Sequence, residues 1–279
     1  MRRLIGLGLA VATLAACGSG GTNTVQLISS AGTKTAAART ARIAEDIRTT
    51  PGATASAGIP IAVHSDGVMD FAARKGDISS TVAGAKVEVL IVGTVLYEHL
   101  PQLSSVLGGK AWLKLDLDSL GKLIGVGGIA ALAQSGPSDP SQFLSYFKGV
   151  SGPVTKVGTA VIRGVKTTEY HLVVDLNKAA AGAGTPASKT ALQQLVKTLG
   201  VTTFPIDVWV DAQGRIRRQH QAFDYSHASL GTIPTTSLPK GVDITLEYYD
   251  FGVPVTVTLP PADQVTDASA LISGQTGSG

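Results

Sequence analysis

Cysteine is nearly missing from this chain: one residue in 279, at position 17. That excludes an intrachain disulfide framework and any cysteine-rich zinc or iron–sulfur site. Charge is scarce as well, at 15% of residues, where about a quarter is usual. The net charge is +3, and two of the basic residues, Arg2 and Arg3, fall in a segment read below as removed, leaving 21 basic against 20 acidic residues. Such a balance gives no field for a polyanion, so no nucleic acid partner is expected. Aromatic residues make up only 5%, so the core must be built mainly from Val, Leu, Ile and Ala. Catalytic signatures are also lacking: there is no G-x-S-x-G elbow, H-E-x-x-H, Walker loop or S-x-x-K with its companions. Gly125-Val126-Gly127-Gly128 fails the dinucleotide fingerprint because no glycine stands at 130 and no strand leads into it. No enzyme activity and no cofactor are therefore expected. Hydrophobic residues, at 44%, are present in ordinary amount, enough to bury a real core and to exclude wholesale disorder.

The first seventeen residues point to a compartment. Met1-Arg2-Arg3 is a short positive region, and Leu4 to Ala16 (LIGLGLAVATLAA) is a 13-residue uncharged apolar run. A helix needs ~20 residues to span a bilayer, so this run has the length of a signal-peptide core instead. It ends Leu14-Ala15-Ala16-Cys17, which resembles the bacterial lipobox: a leucine, two small residues and the cysteine that takes a diacylglycerol thioether. The expectation is a cleaved signal peptide over 1–16, acyl chains such as palmitate on Cys17, and a flexible polar tether over 17–32. The chain would then sit on the extracytoplasmic face of the cell membrane, held by lipid alone.

Residues 33–48 (TKTAAARTARIAEDIR) carry Ala36, Thr40, Ile43 and Ile47 at helical spacing, and the spacing predicts a helix stopped by Pro51-Gly52. From Ile59 to Leu100 the text alternates, with turns at Lys75-Gly76-Asp77, Gly84 and Gly93, which predicts an antiparallel meander. Ala111 to Asp116 reads as a further strand. Leu117 to Gln134, Ser141 to Lys148 and Ser188 to Leu199 read as helices, the first Gly-interrupted. Strands return over 154–157, 160–162, 166–176, 205–211, 215–225, 243–251 and 253–259. Residues 264–279 read as a frayed tail. No break in composition divides 33–263, which implies a single domain.

Several residues admit two readings. Trp112 and Trp209 sit in alternating strand text, either packing a core or lining a ligand cavity. Phe143, Tyr146 and Phe147, after two prolines, are core or the rim of a cavity mouth. Arg215, Arg217 and Arg218 are a solubilising strand edge or a patch that steers toward anionic headgroups. Asp116 and Asp118 stand where a strand hands over to a helix and read as caps. The five histidines, His64, His99, His171, His220 and His227, are scattered and carry no ligand-like spacing.

The lipobox, Gly67-x-x-Asp70-Phe71, Val95-Leu96-Tyr97, Lys110 to Asp116 (KAWLKLD), Gly158 to Tyr170 (GTAVIRGVKTTEY) and Pro254-Val255-x-Val257-x-Leu259-Pro260-Pro261 occur in this order. Together they resemble the LppX/LprG class of actinobacterial lipoproteins, whose fold is similar to that of the lipoprotein carrier LolA. The resemblance implies an α+β fold: a strongly curved antiparallel β half-barrel with helices covering its concave face over an apolar cavity. It further implies a membrane-anchored envelope protein that binds or moves a lipid or glycolipid. In that carrier reading Leu123, Ile124 and Leu132 face the cavity, with Trp112, Phe143, Phe147 and Trp209 as further lining. The alternative is a ligand-free scaffold that offers its surface to an envelope protein partner.

Overall fold

The computed structural model describes residues 20–51, 62–82, 84–116, 149–183, 202–224 and 240–268, with helical residues at 189–190, 192–193 and 196–197. The order of elements is helix α1 (Gly20–Ala37), strands β1 (Thr40–Thr50), β2 (Ala62–Asp70), β3 (Lys75–Val82), β4 (Ala85–Val92), β5 (Val95–His99), β6 (Trp112–Asp116), β7 (Val150–Ile162) and β8 (Val165–Asp175), helix α2 (Leu176–Ala181), then β9 (Thr203–Asp211), β10 (Ile216–Asp224), β11 (Gly241–Tyr249) and β12 (Val265–Asp267).

The twelve strands among the described residues form one open sheet, ordered β12-β6-β5-β4-β3-β2-β1-β11-β10-β9-β8-β7. Two meanders, β2 to β6 and β7 to β11, are joined through β1. Its register runs Ile43↔Gly67 on one side and Ile43↔Tyr248 on the other. The expected antiparallel meander is present, and its turns use glycine where the backbone demands it: Gly84 and Gly93 have φ of 85° and 64°, a region that strains other residues.

Side chains alternate between two faces of the sheet. The core face carries Ala41 and Ile43 of β1, Leu172 and Val174 of β8, Ile206 and Val208 of β9 and Leu246 and Tyr248 of β11, all in one buried cluster. Helix α1 adds Ile28 and Ala31, and α2 adds Leu176 and Ala179, each 0–1% exposed. Asp175 caps α2 by accepting from the N–H groups of Asn177 and Lys178.

Four sequence expectations are corrected. The helix predicted over 33–48 ends at Ala37, and β1 begins at Thr40. Ile43 and Ile47 fit a helical period, but Ala41, Ile43 and Ile47 also fit a strand, and ladders on both edges decide for the strand. Arg42, on the opposite face of that strand, lies 3.6 Å from Asp250. The tether expected over 17–32 overlaps α1, because Ile28, Ala31 and Thr35 recur at spacings of three and four and are buried. The strand expected over 253–259 runs without a ladder and with alternating exposure; Pro254 removes one donor. The tail expected from 264 contains β12, which pairs in parallel with β6 and is held by Lys114 Nζ to Asp267 at 3.0 Å and by Lys110 Nζ donating to the Val265 carbonyl. Helices expected over 117–134 and 141–148 lie outside the described residues, as does much of the one over 188–199, whose Leu192 is buried.

Candidate functional site

The core face is not uniform. Over β7 to β11 it is closed: Leu172, Val174, Ile206, Val208 and Leu246 are fully buried. Over β3 to β6 the same face carries Ile78, Val87, Val89, Ile91, Leu96 and Leu115, and each of these is only half-buried. Their register (Ile78↔Val89, Ile91↔Leu96, Leu96↔Leu115) makes them one continuous apolar surface. Helices α1 and α2 pack chiefly on β7, β10 and β8, and of the wing residues Ile78 and Ile91 reach the edge of the buried cluster.

A row of polar side chains crosses the core face between the two regions. Glu45 on β1 faces Ser65 on β2, which faces Ser80 on β3, and the two hydroxyl oxygens lie 2.9 Å apart. On the other side Glu45 faces Leu246 on β11, which faces Gln219 on β10. Gln219 is 0% exposed. The Oε1 of Glu45 is shut off from solvent and has no hydrogen-bond partner. Burial, with a smaller contribution from the neighbouring Asp46 charge, pushes the Glu45 carboxyl up to about 7. Glu98 on β5 is likewise raised by burial. Sequence reading missed Glu45, since it placed that residue on a helix surface; the signal available was the strand period through Ala41, Ile43 and Ile47.

The opposite face holds the charged groups. His171, Asp207, His220, Thr245, Asp46 and His64 stand in one cross-strand row from β8 to β2. His171 Nδ1 lies 2.6 Å from Asp207, and His220 lies 3.4 Å from both Asp207 and Asp243. His64 sits between Asp46 at 3.0 Å and Asp66 at 2.7 Å. Hydrogen bonding to Asp46 raises its pKa above the usual imidazole value, partly offset by desolvation and helped by Asp66. Three histidines that look scattered in the sequence thus stand in one row, two of them sharing Asp207. Among the described residues no group of three or more such side chains is arranged to hold a metal ion.

The arginine cluster is engaged in internal pairs. Arg217 and Arg215 reach the buried Asp211 at 2.7 and 3.3 Å, while Arg218 and Arg163 clamp Glu247 from two sides. Arg215 and Arg217 also lie over the Phe251 ring, and Arg163 over Tyr249. Burial alone would raise the Asp211 carboxyl, but the Arg215 backbone N–H and the Arg217 guanidinium outweigh it and hold the group below its usual value.

Trp112 and Trp209 belong to the opposite face. Trp112 precedes the core-facing Leu113 and packs on His99, ring centroids 4.7 Å apart. Trp209 lies between the buried Val208 and Val210, with Arg218 over its ring at 5.5 Å. Neither lines the core face; alternation reveals that two faces differ but not which face a tryptophan takes. Cys17, Leu123, Ile124, Leu132, Phe143 and Phe147 lie outside the described residues. A shallow cleft of about 400 Å³ opens at the ends of β1, β9, β10 and β11, lined by Thr50, Pro205, Ala222 and Gly241 among others. Thr50, Pro205 and Ala222 alternate away from the core face, so this cleft is separate from the apolar wing.

Among the described residues no helix is long and apolar enough to cross a membrane. No family model matches the chain. An uncharacterized 31.2 kDa protein from the rplA–rplJ intergenic region of Streptomyces griseus is 27% identical over 167 residues, covering 59% of this chain and 50% of that protein. The chain thus matches about half the length of this curated relative. LprF of Mycobacterium bovis is similar in structure at TM-score 0.47 and 13% identity, covering 88% of this chain and 100% of that one. The lipoprotein LppX of Mycobacterium tuberculosis is similar at TM-score 0.52 and 15% identity, over 85% of this chain and 99% of that one. An open, mostly antiparallel sheet with these dimensions is the LppX-type fold expected from the sequence.

Proposed function

We propose that this protein is a lipid-anchored lipoprotein of the cell envelope that holds a lipid or glycolipid against the apolar wing of its sheet and carries or presents it. The observation that carries the reading is the half-buried surface of β3 to β6, set beside a closed core built from the same residue types. A sheet face of that kind binds a ligand that brings apolar area with it. The LppX-type fold and the lipobox-like Leu14 to Cys17 support the same reading. Cys17 is the proposed attachment point, on the extracytoplasmic side of the membrane. The reading includes no catalytic step.

The test is organic extraction of the purified full chain carrying Cys17→Ala, followed by mass spectrometry of the extract. A stoichiometric lipid is expected. A lipid-free protein whose wing is solid would instead favour an envelope scaffold that meets a protein partner. Ile124→Trp separates the two further. Blocked loading with an unchanged denaturation midpoint supports the carrier, whereas overpacking a solid core costs about 1–3 kcal/mol.

A further inference from the structure

Glu45 is out of place for stability alone. It stands on the core face between the fully buried Leu246 and the buried Ser65, and its Oε1 is shut off from solvent with no hydrogen-bond partner. A leucine there would fill the same place without the ~1–3 kcal/mol penalty of an unmade buried hydrogen bond. Nor is it isolated, since the Ser65 and Ser80 hydroxyls continue the row toward the apolar wing. A polar row ending on an apolar surface matches a ligand that is apolar over most of its length and polar at one point.

We infer that Glu45 is the polar anchor of the lipid site, and that its protonated carboxyl donates a hydrogen bond to an uncharged oxygen of the ligand, an ester carbonyl. This rests on the lipid-binding reading above and deepens it. The O–H of Glu45 donates to the ester oxygen, with the serine hydroxyls beside it. An ionised Glu45 would have no proton to donate and would set its charge against the lone pairs of that oxygen, so the contact depends on the protonated form. The groups facing Glu45 on adjacent strands are Ser65 and Leu246, with Ser80 and Gln219 one strand further. The core-facing residues of α1 are Ile28, Ala31 and Thr35, none of them charged. Asp46 points to the opposite face, toward His64. Among the described residues Glu98 is the other acid on the core face, four strands from β1. With the Glu45 carboxyl held near 7 by burial, the donor is present below that pH and lost above it.

The experiment is calorimetric titration of the full chain carrying Cys17→Ala with methyl octanoate, an ester with no hydroxyl, at pH 6 and pH 8.5. The expected result is binding about tenfold tighter at pH 6 than at pH 8.5, the scale of one hydrogen bond in a buried site. Glu45→Gln, which keeps a neutral donor, should bind equally at both pH values. Glu45→Leu should bind more weakly than Glu45→Gln, and equally at both. Wild-type binding that does not change with pH, or a Glu45→Gln profile that changes with pH as wild type does, overturns this inference and leaves lipid binding standing. Failure of the ester to bind wild type at both pH values overturns both. Should Glu45→Leu not fold, the flat profile expected of Glu45→Gln decides alone.

Discussion

The two wings of the sheet are built from the same few side chains and put them to different use. On β8 and β9, Leu172, Val174, Ile206 and Val208 lose all contact with solvent in a cluster with Ile28 of α1, Leu176 of α2 and Leu192. On β4 to β6, Val87, Val89, Ile91, Leu96 and Leu115 point to the same face and keep part of their surface open. Residue type therefore does not distinguish a closed core from a half-open apolar face here; what lies over the strand does. Fully burying such a side chain is worth about 1.5–3 kcal/mol, so the closed wing supplies stability, whereas the open wing leaves part of that energy unspent and available to a ligand.

The sharpest way to break this comparison is a matched pair of truncations. Ile206→Ala in the closed wing should cost about 2–5 kcal/mol, the range for emptying a well-packed site. Val89→Ala in the open wing should cost under about 1.5 kcal/mol, because the partly exposed methyls have less transfer energy to lose. Chemical denaturation midpoints check both, and equal costs would mean the wings are packed alike. A second, smaller effect tests how closely the open wing is assembled. A Cβ at Gly67 would stand 2.3 Å from the Asp77 carbonyl oxygen and 2.8 Å from Ile78 Cα. Gly67→Ala must therefore part β2 from β3, at a cost of about 1–3 kcal/mol, and should alter ligand loading on that wing more than Ile206→Ala does.

The smallest expected effect concerns the charged face beneath both wings. The pKa of His64 is raised in the folded state, chiefly by its hydrogen bond to Asp46. A raised pKa means that folding binds a proton, so the contribution is full below about 6.5, the unfolded value, and fades as pH rises through the higher folded value. The side chain is 54% exposed, which keeps the effect slight. Comparing wild type with His64→Asn between pH 5 and pH 9 checks the sign: the difference in midpoint should shrink as pH rises.

Much of the sheet was legible in the sequence because alternation and tight turns are local. Lys75 to Tyr97 announces its strands through period two and its hairpins through Gly84 and Gly93. Face and neighbour were not legible. Trp112 and Trp209 alternate with apolar residues, yet only the ladders reveal that they face away from the core. His171 and His220 are brought together by Asp207, which pairs with both across two ladders, and no spacing along the chain encodes that. The β1 segment fits two periods at once, so the choice between them falls to partners far away in sequence. Misreading β1 as a helix also hid Glu45, the polar side chain proposed above as the anchor.

The position of β1 bears on the order in which the protein can form. Its pairing with β2 joins Arg42 to Val68, near neighbours in the chain, whereas its pairing with β11 joins Arg42 to Tyr249. Loop closure over such a span must precede any return from the contacts it makes, and contacts of this kind slow folding. The meander from β1 to β6 can assemble as soon as it is synthesised, but the seam joining it to β7 through β11 waits for nearly the whole chain. Until residues 241–249 arrive, the free edge of β1 offers an unpaired strand to any other chain nearby, so the same seam that unites the finished sheet sets the interval during which the nascent protein is open to chaperones and to self-association.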